Sequence, residues 1–309
     1  MPLPPLRPAA MAVLTAVAVA VTSVTAQQQF RAGVSLVHLP VIVTGKDGKL
    51  ISGLEPTDFQ VLEDGKPQSI EYFVQGAEGD ALPVHLGLLL DSSESMEKDL
   101  RTAAGAAVRF VDQFEEAVDV TFIDFDSAVR LGRFEPPSYP QLFARIRAGK
   151  AKGGTSLYDA LGTYLESTLD RSGQHVVLMH TDGGDSTSSM TYGRLQELLR
   201  LANVIVYAVG YLDNQLSNVR IPQQMKVNQI TKETGGEAFF PTSPAEMDQV
   251  YDKIRAELAA RYTLGYASTN PKTDGRYRKV EVRLTRPDLK NMKVRTRSGY
   301  LAPKSAPGW

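Results

Sequence analysis

Three short stretches carry oxygen-bearing side chains whose types and order suit the binding of a hard cation. "LLLDSSES" (Leu88–Ser95) ends an aliphatic run on the Asp91 carboxylate and then offers Ser93 and Ser95 at a spacing of two. "KGGTSLYDAL" sets Thr155 after a Gly-Gly pair and just before a helical pattern, and "HVVLMHTDGGDS" sets Asp182 at the end of another apolar run. Two carboxylates and three hydroxyls fit Mg²⁺, which takes about six oxygens near 2.1 Å and keeps some of its water. Zn²⁺ would ask for His or Cys instead. Two carboxylates balance a dication only formally, so the ion would still attract an anionic oxygen from outside.

Other chemistries compete for the same residues. Asp91 with Mg²⁺ is also the nucleophile of a phosphoryl-transfer site, and Lys150 and Lys152 precede the Gly-Gly-Thr loop. No Gly-x-x-x-x-Gly-Lys or Gly-x-Gly-x-x-Gly loop is present to cradle a nucleotide. Ser93, His180 and Asp182 invite a serine-hydrolase reading. That reading lacks a Gly-x-Ser-x-Gly elbow, and Ser93 follows a strand-end carboxylate, a poor setting for an activated hydroxyl. Asp185 adds a third carboxylate, read as a helix cap in "GGDSTSSM". Asp124 and Asp126 in "FIDFDS" either support the site or make a turn. The histidines His38, His85, His175 and His180 are scattered over strands without helical metal spacing, so packing or surface roles are expected.

The elements that must position these loops follow from the apolar rhythm. "VHLGLLL", "DVTFIDF", "QHVVLMH" and "NVIVYAVGY" are short apolar runs, as in strands covered on both faces of a parallel sheet. Helical patterns alternate with them. Met96, Leu100, Ala104, Ala107, Val108, Val111 and Phe114 fall on one face, and "SLYDALGTYLESTLD", "YGRLQELLRLAN" and "AEMDQVYDKIRAELAARY" read alike. The prediction is an α/β domain over 82–261, doubly wound around a mostly parallel sheet, with "AVRLGRF" as an antiparallel edge. In such sheets ligands bind at the carboxyl ends of the strands, where all three oxygen-bearing loops lie. The flanks read differently. Val37, Leu39, Val41 and Val43 alternate, and Asp-Gly pairs in "KDGK" and "EDGK" mark tight turns. Val280, Val282 and Leu284 alternate again near the end. Segments 30–80 and 262–303 are therefore expected to pair into one small β-sandwich, with Tyr262, Tyr266, Tyr277 and Tyr300 as its packing.

Composition narrows the class. The chain has 309 residues, 42% hydrophobic and 22% charged, with a formal charge of -1, so no basic face points to nucleic acid. It contains no cysteine, which excludes disulfides, thiolate metal sites and cysteine nucleophiles. Residues 1–26 carry Arg7, an Ala/Val-rich stretch too short to span a bilayer, and small residues at Val24 and Ala26. They are expected to be a signal peptide cut after Ala26, which makes the protein periplasmic or secreted, with no membrane span in the mature chain.

Asp91-x-Ser93-x-Ser95, Gly153-Gly154-Thr155 and Thr181-Asp182-Gly183, in that order, resemble a von Willebrand factor type A (VWFA) domain with a metal-ion-dependent adhesion site (MIDAS). The resemblance covers 82–261. It implies that Ser93 and Ser95 bind Mg²⁺ or Mn²⁺ directly, that Asp91 and Asp182 act through water, and that Thr155 joins or leaves the sphere as ligand binds. It also implies a non-enzymatic, adhesion-type module whose metal captures an acidic side chain of a partner protein. The flanks "LPVIVTGKDGKLISGLEPTDFQVLEDGKPQSI" and "VRTRSGYLAP" are similar to a bacterial group of exported VWFA-related proteins, so that the likeness extends over 34–303. His180 and Thr181 depart from the small residue or Ser that many relatives carry before the third-loop aspartate.

Overall fold

The computed structural model describes residues 36–76, 82–212 and 216–304. The segment read as a signal peptide lies outside the described residues. In chain order the first strands are β1 (Val37–Thr44), β2 (Phe59–Glu63), β3 (Lys66–Gln68), β4 (Tyr72–Gln75) and β5 (Val84–Asp91). Helix α1 (Leu100–Asp112), strands β6 (Ala117–Phe125) and β7 (Val129–Phe134), and helices α2 (Tyr139–Arg147) and α3 (Leu157–Thr168) follow. Next come β8 (Gln174–Thr181), α4 (Tyr192–Leu201), β9 (Val204–Gly210), α5 (Ser217–Glu233), β10 (Ala238–Phe239) and α6 (Pro244–Ala260). The chain closes with β11 (Tyr262–Tyr266), β12 (Tyr277–Leu284), β13 (Lys293–Arg295) and β14 (Gly299–Leu301).

A six-stranded sheet of order β10-β9-β8-β5-β6-β7 forms the centre, parallel except for the antiparallel edge β7. Period-two alternation explains its two-sided burial. Leu86, Leu88 and Leu90 of β5 enter one apolar layer with α1, α2 and α6, while Leu89, Val177 and Met179 enter the other with α3, α4 and α5. Each such buried side chain stabilises the fold by about 1.5–3 kcal/mol. Helix starts are fixed locally. The Thr191 hydroxyl accepts from Arg194 N before α4, and the Ser243 hydroxyl accepts from Glu246 N before α6.

Helices α2 and α5 and strand β10 go beyond the elements expected from the sequence. α5 escapes pattern reading because only Val227, Ile230 and Thr231 are buried along it and Pro222 sits inside it.

The N- and C-terminal strands build two antiparallel sheets, β13-β1-β11-β4 and β14-β12-β2-β3. They share one apolar core, in which Leu39, Val41 and Val43 meet Phe59, Val61, Val280 and Val282. Tyr262 and Tyr266 are fully buried there, whereas Tyr277 is exposed and lies under the Arg200 guanidinium, 5.0 Å from its ring centroid. Among the described residues no helix is long and apolar enough to cross a membrane.

Candidate metal centre

Chain order reverses beside β5: β6 lies on one side of it and β8 on the other. The crevice at the carboxyl ends of β5 and β8 is therefore the switch point of the sheet. β5 ends at Asp91 and β8 at Thr181, one residue before Asp182. Asp91 is wholly buried, and neutral donors engage both of its oxygens. Ser93 N donates to Oδ1 at 2.9 Å, and the Thr181 hydroxyl donates to Oδ2 at 2.7 Å. Burial pushes the Asp91 carboxyl up to about 7. Hydrogen bonds from Ser93 and Thr181 pull it back, and the negative charge of Asp182 adds to the rise.

The Ser93 and Ser95 hydroxyls sit 3.1 Å apart, with Ser93 buried and Ser95 exposed. Ser95, Thr155 and Asp182 together line a pocket of ≈ 530 Å³, walled on its far side by α5. All five predicted residues thus gather at one edge, Asp91 and Ser93 beneath and the other three at the opening. Two glycines give the loops their shape: Gly153 (φ 67°) and Gly183 (φ 83°) occupy the left-handed region. At Gly184 a Cβ would fall 3.2 Å from Asp182 Oδ1 and 4.0 Å from Thr155 Oγ1, so the missing side chain keeps the space between those donors open.

The loops brace one another through groups that sequence reading did not single out. The Ser127 hydroxyl accepts from Gly154 N at 2.8 Å, and the Ser186 hydroxyl accepts from Thr155 N at 3.0 Å. Lys152 N donates to the Ser92 carbonyl and Ser156 N to the Asp126 carbonyl. Thr181 stood out only as a departure from relatives, yet its hydroxyl both donates to Asp91 and accepts from Gly183 N at 3.0 Å. These contacts join residues far apart in sequence, so no local pattern announces them.

Asp124 and Asp126 find other work, whereas Asp185 both makes a cap and lines the pocket. Asp124 is bound by Arg130 and by Arg145 Nη2 at 2.8 Å, and Asp126 accepts from Ala128 N and Arg130 in the β6–β7 turn. Asp185 does cap a helix, but across space: its Oδ1 accepts from Tyr158 N in the first turn of α3 at 3.1 Å. His180 meets two phenols, with Nδ1 3.3 Å from the Tyr211 hydroxyl and 3.4 Å from that of Tyr251, and burial pushes its pKa down to about 3. Lys152 Nζ lies 3.9 Å from Asp126. Among the described residues no group of three or more His, Cys, Asp or Glu is arranged to hold a metal. Any cation in this pocket would therefore depend on hydroxyl oxygens. Two carboxylates and three hydroxyls, one carboxylate buried among neutral donors, fit a hard dication that supplies the missing positive charge.

Several solved structures of low identity are similar to this chain. A von Willebrand factor type A protein from Catenulispora acidiphila superposes with a TM-score of 0.48 at 11% identity, covering 89% of this chain and 76% of its own. The vWF domain of the type V pili tip protein Mfa5 from Porphyromonas gingivalis gives 0.45 at 11% identity, over 63% of this chain and 100% of its own. An aerotolerance-related membrane protein from Bacteroides fragilis gives 0.46 at 17% identity, over 57% of this chain and 98% of its own. No curated protein matches the chain. Residues 85–253 match the model of the von Willebrand factor type A domain, and because that span exceeds half of the 309 residues, the protein belongs to the von Willebrand factor type A domain family.

Proposed function

We propose that the protein is an exported, metal-dependent binding module of the adhesion type. Asp91, Ser93, Ser95, Thr155 and Asp182 hold Mg²⁺, with Mn²⁺ as a substitute, at a metal-ion-dependent adhesion site. The bound ion attracts a carboxylate oxygen from an acidic side chain of a partner protein, and this chain's loops orient and shield that contact. The signal-peptide-like sequence of residues 1–26 and the resemblance of the flanks to a bacterial group of exported VWFA-related proteins support export. The observation that carries the reading is the Asp91 carboxylate, buried at the switch point among neutral donors with Asp182 close by. Two adjacent carboxylates in such a place raise the free energy of the fold unless a proton or a cation offsets them, and a cation can act on both.

Thermal unfolding with added Mg²⁺ tests this directly. At a concentration 100 times Kd the ion stabilises the folded protein by about 2.7 kcal/mol, and EDTA reverses the shift. Asp91→Ala abolishes the shift and Ser93→Ala weakens it. An unchanged melting temperature from micromolar to tens of millimolar Mg²⁺ and Mn²⁺ rules the reading out.

A further inference from the structure

The α5 wall of the metal pocket has a chemistry of its own. Leu216 is 74% exposed, Val219 38%, Ile221 55% and Met225 58%. They make up four of the nine large apolar side chains exposed among the described residues, all at the start of one helix. Exposed apolar groups scattered singly need no explanation, but a cluster beside a pocket does. This half of α5 contributes no buried residue to the core, because burial begins only at Val227. Val219 and Pro222 line the pocket itself, together with Asn218, Gln223 and Lys226.

Two polar features share the wall. Lys226, whose Nζ lies 3.4 Å from the Tyr192 ring centroid, adds positive charge. The Gln223 side-chain oxygen is buried without a hydrogen-bond partner among the described residues, an acceptor that a turn of its amide brings to a peptide N–H. Pro222 has no N–H for the Asn218 carbonyl one turn back, which leaves a second acceptor at the rim.

We infer that the pocket receives an extended segment of a partner protein in which an Asp or Glu stands next to a large apolar residue. The carboxylate goes to the Ser95–Thr155–Asp182 side, its backbone N–H to Gln223, and the apolar neighbour to the ridge of Val219, Pro222 and Met225, spaced three residues apart. The metal–carboxylate contact is common to any acidic partner, so the first two turns of α5 are the specificity-determining surface. This inference rests on the metal-binding reading above.

A homologous series of simple carboxylates from acetate to hexanoate, titrated into the protein with saturating Mg²⁺ and followed by NMR, separates the two. The expected result is affinity that rises about threefold per added methylene, is lost with EDTA or in Asp91→Ala, and loses its dependence on chain length in a Val219→Ser/Met225→Ser double variant. Both substituted side chains are exposed, so the variant should fold. Mg²⁺-dependent binding with no effect of chain length overturns the apolar role of α5 and leaves the metal reading standing. A chain-length effect that survives EDTA and Asp91→Ala also overturns the inference, since the apolar surface would then act apart from the metal. No Mg²⁺-dependent carboxylate binding at all removes the reading on which both depend.

Discussion

Replacing Thr181 by Val tests whether the Asp91 carboxylate depends on its neutral donors. Valine keeps the shape of the fully buried side chain but removes the hydroxyl that donates to Asp91 at 2.7 Å and accepts from Gly183 N at 3.0 Å. A hydrogen bond to a charged group is worth about 1.5–3 kcal/mol, and a buried N–H left without an acceptor costs about 1–3 kcal/mol. Partial relaxation of the Gly183 turn reduces the sum, so a loss of about 2–4 kcal/mol is expected. For a chain of this size that corresponds to a fall in melting temperature of about 3–6 °C. Thr181→Ser retains the hydroxyl and should stay near the wild type. Differential scanning calorimetry in EDTA, with no divalent ion present, isolates the effect from metal binding. If Thr181→Val melts within a degree of the wild type, or if Thr181→Ser falls as far, the hydroxyl is not what holds Asp91 and the account of its burial is wrong.

Two further outcomes concern ionisable groups away from the pocket. Burial pushes His175 down to about 4, against the opposing pull of its hydrogen bond to the Arg171 carbonyl, in a cluster with His85, Asp119 and Arg171. A histidine with a depressed folded pKa contributes stability that is complete above its unfolded value of about 6.5 and is lost as pH falls toward 4. The contribution is about 1.4 kcal/mol per pH unit over that window. Denaturant titrations between pH 7 and 4 should show a flatter acid limb in His175→Phe, and an unchanged limb would contradict this assignment. Arg295 binds both Glu257, which is buried, and Glu237 at 2.8 Å, and so ties α6 to β13. Arg295→Met should destabilise the fold by about 1–3 kcal/mol, since Glu257 keeps the Tyr207 hydroxyl and has Lys253 Nζ at 3.9 Å, and adding Glu257→Leu should restore part of it. Chemical denaturation of the single and double variants measures both changes.

The parallel strands were legible because their signals are local, and so was the convergence of the five oxygen-bearing residues at one edge of the sheet. An aliphatic run ending in Asp91, a Gly-Gly pair before Thr155 and a run ending in Thr181-Asp182 each fit within about ten residues. The surroundings of the site were not legible, because they arise between loops. Ser127 meets Gly154, Ser186 meets Thr155, and Asp185 caps a helix that begins well before it in sequence. α5 was hidden for a different reason. Helical periodicity is visible only where one face is buried, and its first half buries none of its residues. Tyr277 was misread for the converse reason: strand alternation indicates which residues share a face but not which face the core covers.

The two points where the chain leaves and re-enters the paired terminal sheets are neighbours. β4 and β11 pair directly, with Gln75 opposite Tyr262, and Gly76 N donates to the Arg261 carbonyl at 2.7 Å. Everything from β5 to α6 is thus a long excursion whose ends must meet before that ladder can close. Closing so large a loop carries an entropic cost that falls sharply once the excursion is compact. Maturation of the terminal sheets should therefore wait on collapse of the central one, and a lesion at the middle of the polypeptide should surface first as unzipping between its two extremities.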